Sequence, residues 1–362
     1  MLRRLSAAVA ALAFMAASAQ AEMTAADKAV PRYAHIFVII EENKDYQQIL
    51  SPVTAPNIGT YAATYGDATQ FFGEVHPSEA NYVALLGGDT FGIHDDDAFY
   101  CHAGLADPYC PGEAKPDYAD HAVKARHLGQ QLEDKHLSWK GYYEDLPEAG
   151  SLAVIADMAG YPDPTRKAAY YASKHSGFLN FAQVQHDPKR AEHIVDFNQL
   201  DADLAANQLP SFAVIVPNQC NEMHGLFGRD LPADCSGANT LGLIARGDRV
   251  TGALVQKIQS TASWTSGDND AIVITFDEGG HGTREGCCGV TPAAASNYGG
   301  GHIPTIVITN HGPRGVKDDT PYNHYSLLRT IEDAFGVKEH LAHAAETDKG
   351  VVPMVKLFAV SR

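Results

Sequence analysis

Unbroken apolar runs, rather than alternating ones, set the frame of this chain. Residues His35–Glu41 read His-Ile-Phe-Val-Ile-Ile-Glu, and a run of this kind suits a strand covered on both faces within a parallel sheet. The runs Phe212–Val216, Ala271–Phe276 and Ile303–Thr309 repeat the pattern. Between them, Ser78–Leu86, Ala122–Asp134, Gly242–Gln259 and Tyr325–Phe335 have helical character. Strand and helix in alternation predict an α/β fold with a mostly parallel central sheet flanked by helices. The Asp-, Pro- and Gly-rich stretch from Asp89 to Asp120 reads as a loop-rich insertion, a cap near one end of the sheet. No repeat or linker divides the remainder, so residues 22–362 are expected to form a single domain.

Polar residues come directly after several of these runs. Glu41-Glu42-Asn43 ends the first, Pro217-Asn218 comes after the second, and Asp277-Glu278-Gly279-Gly280 after the third. In open parallel sheets, ligand sites form outside the carboxyl ends of the strands. Successive strand residues point to opposite faces, so Asp277 and Glu278 can share a site only where the strand stops, and Gly279-Gly280 permits that turn.

The amino terminus changes the expected location. Met-Leu-Arg-Arg, an apolar run from Ala7 to Ala17 and Ala19-Gln20-Ala21 form the three sections of a secretory signal peptide over residues 1–21. The run is too short for a permanent membrane span, which needs roughly 20 apolar residues, and no such run comes after it. The protein is therefore expected to be exported, periplasmic or secreted, without stable membrane insertion. Its formal charge of -17 opposes nucleic acid and anionic lipid as general partners. The same field opposes a phosphate-bearing substrate, so an anion site would need concentrated positive charge, which a metal ion supplies economically.

Six cysteines, at 101, 110, 220, 235, 287 and 288, in an exported chain suggest disulfides, and none shows the CxxC spacing of thiolate zinc sites. The simplest pairing is Cys101 with Cys110 and Cys220 with Cys235. Closing the second loop contributes roughly 3 kcal/mol if unstrained. Adjacent Cys287 and Cys288 either form a vicinal disulfide or stay reduced.

His76-Pro77-Ser78-Glu79-Ala80-Asn81-Tyr82 puts a serine at a helix start. Read alone, this is an ordinary N-cap. Helix starts also present free N–H groups to anions, so a serine there would meet a phosphoryl group among donors. A serine hydroxyl is a weak nucleophile until a base or metal favours its alkoxide. A cation on Glu42, Asn43, Asp277 and Glu278 would do so while neutralising phosphoryl oxygens. The all-oxygen set favours Mg, Ca or Mn, and adding histidine would admit Zn or Fe. Of the 17 histidines, His224 closes a polar loop after a strand, His302 precedes a strand among glycines, His175 is next to Lys174, and His324 opens the last helix after Asn323.

Seven segments, taken in order, carry a resemblance. They are Glu41-Glu42-Asn43; His76-Pro77-Ser78 with Asn81-Tyr82; Ser138-Trp139-Lys140 with Tyr142 and Glu144-Asp145; Lys174-His175; Pro217-Asn218 with His224; Thr275-Phe276-Asp277-Glu278; and Asn323 through Glu332. Together they resemble the phosphoesterase family of bacterial and fungal acid phosphatases and bacterial phospholipases C, over nearly all the mature chain. The resemblance implies an alkaline-phosphatase-like α/β core and hydrolysis of phosphate esters through a serine nucleophile at a metal-bearing site. Carried over, Ser78 is the nucleophile, and Glu42, Asn43, Asp277 and Glu278 bind the metal. His224 and His302 take catalytic positions, and Lys174, His175, Asn81 and His324 bind substrate. The family often has Asp-Asp where this chain has Asp277-Glu278, and Asp where Gly225 stands. Phospholipase members are longer, which favours a phosphomonoesterase, of acid phosphatase type, acting on a small phosphate ester. A phospholipase C-type diesterase and a non-catalytic phosphate- or metal-binding protein are the alternatives. Nothing in the sequence specifies an oligomeric state.

Overall fold

The computed structural model describes residues 29–51, 53–156, 169–227, 231–289 and 298–360. The leader segment 1–21 lies outside the described residues. Eight strands build the central sheet: β1 His35–Glu41, β2 Gly66–Ala68, β3 Trp139–Tyr143, β4 Ile194–Val195, β5 Phe212–Val216, β6 Asp270–Phe276, β7 Thr305–Thr309 and β8 Val316–Asp318. Their order is β8-β2-β7-β6-β1-β5-β3-β4. Neighbours pair in parallel except at β7, which runs antiparallel to both β6 and β2. The fold is thus α/β with a mainly parallel sheet, as the apolar runs predict. The centre of the sheet is covered on both faces: every residue from Ile36 to Ile40 is at most 2% exposed, which removes any reason for those strands to alternate.

Four of the helices pack in two pairs, α1 Pro56–Thr64 with α3 Thr240–Gln259 and α2 Glu79–Gly87 with α4 His324–Ala334. α2 is buried along its whole length, which explains its near-continuous apolar sequence. The Asn239 side chain caps α3 at Gly242 N, and the Asn323 side chain caps α4 at Ser326 N. From within α3, buried Asp248 accepts from the backbone N–H groups of Asn57 and Ile58 at the start of α1.

Two expected elements change form. The run Ile303–Thr309 is split: His302–Ile303 joins a small three-stranded sheet with Phe71–Phe72 and Tyr322–Asn323, while Thr305 onward enters the central sheet. Pro304 sits at the break, where a residue without an N–H can leave one ladder for another. The expected helix Ala122–Asp134 is confined to Leu128–Glu133. Val123 instead exchanges backbone hydrogen bonds with Asn180 and Ala182, so tertiary pairing overrides local helical preference.

The 89–120 segment is a succession of turns and bends. Cys101 and Cys110 are bonded within it, and Cys220 and Cys235 are bonded around the loop after β5. Cys287 and Cys288 form a vicinal disulfide, the first of the two states the sequence allows. Among the described residues, no helix is long and apolar enough to cross a membrane.

Candidate active site

β1, β3, β5 and β6 are parallel and end at one edge of the sheet. Glu42 and Asn43 come after β1 there, the 217–224 loop after β5, and Asp277-Glu278 after β6. Strand geometry decides which acids face the site. Glu41, still within β1, turns to the α3 side and accepts from the Thr251 hydroxyl. Glu42 turns the other way.

Ser78 stands at the start of α2 with helical backbone angles, and its side chain makes no capping bond. Its Oγ donates instead to Glu42 Oε2 at 3.1 Å. The same carboxylate accepts from Asn43 Nδ2 at 2.7 Å and from the Tyr82 hydroxyl at 2.8 Å. The Asn43 backbone N–H donates to Asp277 Oδ1 at 3.1 Å, with Asn43 in the left-handed region at φ 58°, a conformation asparagine tolerates. Ser78 also acts on Asp277 and Glu278, favouring their charged forms. Glu42, Asn43, Ser78, Asp277 and Glu278 therefore form one cluster.

On the far side of Glu42 lies His175. Its Nε2 is 3.1 Å from Glu42 Oε1 and its Nδ1 is 2.7 Å from Glu222 Oε1. The His224 ring is 5.4 Å from that of His175, and its Nδ1 faces the Gly225 carbonyl at 2.7 Å. Lys174 pairs with Asp96 of the cap at 2.9 Å, and the other oxygen of Asp96 accepts from the Glu79 backbone N–H. The cap is thereby pinned beside the serine.

The electrostatics are lopsided. Glu42, Glu222, Asp277 and Glu278 are all at most 1% exposed. Burial pushes all four carboxyls up, reinforced at Glu42 and Glu278 by the Asp277 charge and at Glu222 by Glu42; Glu278 reaches about 10. Burial and the nearby Lys174 charge lower His175 well below the usual range and bring His224 to about 4. Lys174 itself is held above its ordinary value, since burial is outweighed by Asp96 and Glu42. Asn43 Oδ1, Asp277 Oδ2 and Glu278 Oε1 are buried without a well-formed hydrogen bond. Buried charges persist only when paired or bound to metal, and all-oxygen donors of this kind suit a hard divalent cation. Nitrogen donors adjoin them, since one ligand atom each from Glu42, His175 and His224 lies within 4.8 Å of the others.

Three expected site residues lie elsewhere in the network. Asn81 is buried, its Oδ1 accepting from the backbone N–H groups of Glu74 and Val75 and its Nδ2 donating to the Val75 carbonyl. His324 is buried between Glu74, at 2.5 Å from Nδ1, and the Phe276 carbonyl, at 2.9 Å from Nε2. Their polar atoms are spent on the protein, so both brace the Glu74–Ser78 approach to α2 rather than face a ligand. His302 stacks on Tyr46 at 4.6 Å and meets the Thr69 carbonyl; the structure does not bring it to the cluster. Conversely, Glu222, Tyr82, Asp96 and His76 join the network although the sequence assigns them no role in a site. Glu222 lies two residues before His224 in a polar loop, which is a usable signal. Asp96 carries none beyond its acidic surroundings.

Residues 50–338 match the Phosphoesterase family. The chain is 28% identical over 314 residues to a Mycobacterium tuberculosis protein named phosphatidylinositol-3-phosphatase, covering 86% of this chain and 80% of that one. It is 26% identical over 300 residues to a probable acid phosphatase of Kluyveromyces lactis, covering 83% of this chain and 58% of the relative. The chain spans little more than half the length of the fungal relatives. Among solved structures, an alkaline phosphatase superfamily protein from Vibrio parahaemolyticus superposes with a TM-score of 0.53 at 12% identity, over 92% of this chain and 73% of that one.

Proposed function

Since the chain belongs to the Phosphoesterase family and is a phosphoric ester hydrolase, we propose that it is an exported, cation-dependent phosphomonoesterase whose nucleophile is Ser78. The observation that carries this reading is the Ser78 hydroxyl, which forgoes its cap and points to Glu42. Glu42, Asn43, Asp277 and Glu278 would hold the divalent cation, which when bound supplies charge to favour a serine alkoxide and neutralise phosphoryl oxygens.

The chain's own groups divide the remaining work. Glu42 and Tyr82 orient the Ser78 hydroxyl for in-line attack on phosphorus. Attack gives a phosphoserine and releases the alcohol, and water then hydrolyses the phosphoserine. Lys174, held cationic, meets the phosphoryl oxygens. His224 has one N–H on the Gly225 carbonyl, and in acid, where the ring takes its second proton with a pKa brought down to about 4, its other nitrogen would give the leaving alcohol that proton, a role worth roughly 10²- to 10⁴-fold. A monoester is favoured over a diester by relatives named acid phosphatase and phosphatidylinositol-3-phosphatase. Export is supported by the leader-like residues 1–21 and by three disulfides, which persist in oxidising compartments.

The test is Ser78→Ala on a chromogenic phosphate monoester, with phosphatidylcholine assayed in parallel. Loss of monoester hydrolysis on the order of 10³-fold, with little turnover of the diester by the native protein, is expected. Near-native hydrolysis by Ser78→Ala rejects the nucleophile, and preferential cleavage of phosphatidylcholine rejects the monoester.

A further inference from the structure

Glu278 has a second set of neighbours besides the oxygen-rich cluster. His76 Nδ1 lies 2.8 Å from Glu278 Oε2. The His76 Nε2 faces the Thr283 carbonyl at 2.9 Å. A carbonyl oxygen can only accept, so Nε2 carries the hydrogen of that bond. In the neutral imidazole this turns the Nδ1 lone pair toward a carboxylate oxygen, placing two acceptors face to face. Something positive must lie between them, either a proton or a metal ion.

A histidine with one N–H on a backbone carbonyl and the other nitrogen turned inward is the arrangement that orients metal-binding imidazoles. Here it has company. A ligand atom of His281 comes within 4.8 Å of those of His76 and Glu278, with the two rings 6.3 Å apart. His281 is exposed and lies between Gly280 and Gly282, the latter at φ 124°, a backbone open to nearly any side chain rotation. Glu278 is fully buried, and its Oε1 has no well-formed hydrogen bond.

We propose that His76, Glu278 and His281 form a second metal site, of the two-imidazole, one-carboxylate type that takes zinc or a similar transition ion and leaves a position open. Tetrahedral zinc ligands stand about 3.3 Å apart, so the ion would spread the His76–Glu278 pair from 2.8 Å by about half an ångström and draw in the exposed His281 from within 4.8 Å. The site adjoins the oxygen-rich one and shares Glu278 with it. The longer side chain at this position, where aspartate would be shorter by one methylene, lets one carboxylate reach both sides. The site rests on these three side chains and not on the assignment of Ser78.

The experiment counts metal rather than turnover. The full chain, stripped with a chelator and verified as folded by circular dichroism, is titrated with Co(II) and Zn(II) by calorimetry and by the visible absorption of Co(II). Native protein is expected to take up one more equivalent than His281→Ala, whose side chain is too exposed for the change to disturb the fold. His76→Gln should lose the same equivalent, whereas Ser78→Ala should retain it whatever its effect on hydrolysis. Equal uptake and equal Co(II) spectra for native protein and His281→Ala would overturn the proposal, and would mean that a proton alone fills the gap between His76 and Glu278.

Discussion

The Ser78 hydroxyl donates to Glu42 Oε2 at 3.1 Å although Ser78 occupies the position from which serines ordinarily cap a helix. Glu42 takes that donor along with those of Asn43 and Tyr82, within a group of buried acids that repel one another. Glu42→Gln should therefore have two opposite effects. The amide still offers an oxygen, but the charge is gone. Hydrolysis of a phosphate monoester should fall by roughly a hundredfold or more. The metal-stripped protein should become more stable, by on the order of 1 kcal/mol, because folding no longer has to bury the Glu42 charge beside Asp277 or take up a proton to neutralise it. Urea unfolding with chelator present checks the second effect, and a destabilised variant would count against the repulsion argument.

Cation removal should show the same imbalance from the other side. Saturating the site with a divalent ion at a hundredfold excess over its dissociation constant adds about 2.7 kcal/mol to stability. Chelation should therefore lower the unfolding temperature as well as activity, and adding back the correct ion should restore both. An unfolding temperature indifferent to verified stripping would mean that no ion sits among these carboxylates.

His121 supplies a pH dependence through Glu79, the residue next to Ser78. Its Nδ1 is 3.0 Å from Glu79 Oε2 and its Nε2 is 2.9 Å from Asp95 Oδ1. Burial opposes its charge, but Glu79 and Asp95 prevail and raise it from 6.5 to about 10. A raised pKa stabilises the fold fully below the unfolded value and loses that effect as pH rises through the folded one. Stability should thus decline between about pH 6.5 and about pH 10, with the cap loosening from α2. His121→Gln should flatten that part of the profile when denaturation midpoints are compared across pH.

Asn81 offers a purely structural counterpart. Removing its amide in Asn81→Ala leaves the buried N–H groups of Glu74 and Val75 and the Val75 carbonyl without partners. Each such group costs roughly 1–3 kcal/mol, so a loss of at least about 2 kcal/mol is expected in thermal or urea unfolding. A change within experimental error would show that water replaces the amide.

Legibility in the sequence tracks burial. β1, β5 and β6 are readable because both faces are covered and the apolar runs are unbroken. β3 is not, because Lys140 and Gly141 interrupt its apolar character; Lys140 belongs there through its ion pair with Asp203 at 2.5 Å. The acids at strand ends and the helix-start serine stand out as residues that neither a core nor a turn requires. Asn81 and His324 look similar, yet their bonds are to backbone and to Glu74, and sequence does not reveal which way a polar side chain turns. Glu222 acquires its place through His175 and Asp96 through Lys174 and the Glu79 N–H, contacts made by residues distant in the chain.

β7 runs against its neighbour, so the chain leaves β6 at the edge that carries Asp277 and re-enters the sheet at that same edge, Thr305 lying opposite Thr275. The intervening passage is clasped where it departs and returns, by Gly279 N to the Gly300 carbonyl at 2.6 Å and by Gly73 and Gly300 donating to carbonyls across the adjoining turn. Because the clasp and the Thr305–Thr275 pairing hold the two ends of the passage together, the sheet beneath keeps its register whatever length of chain lies between them.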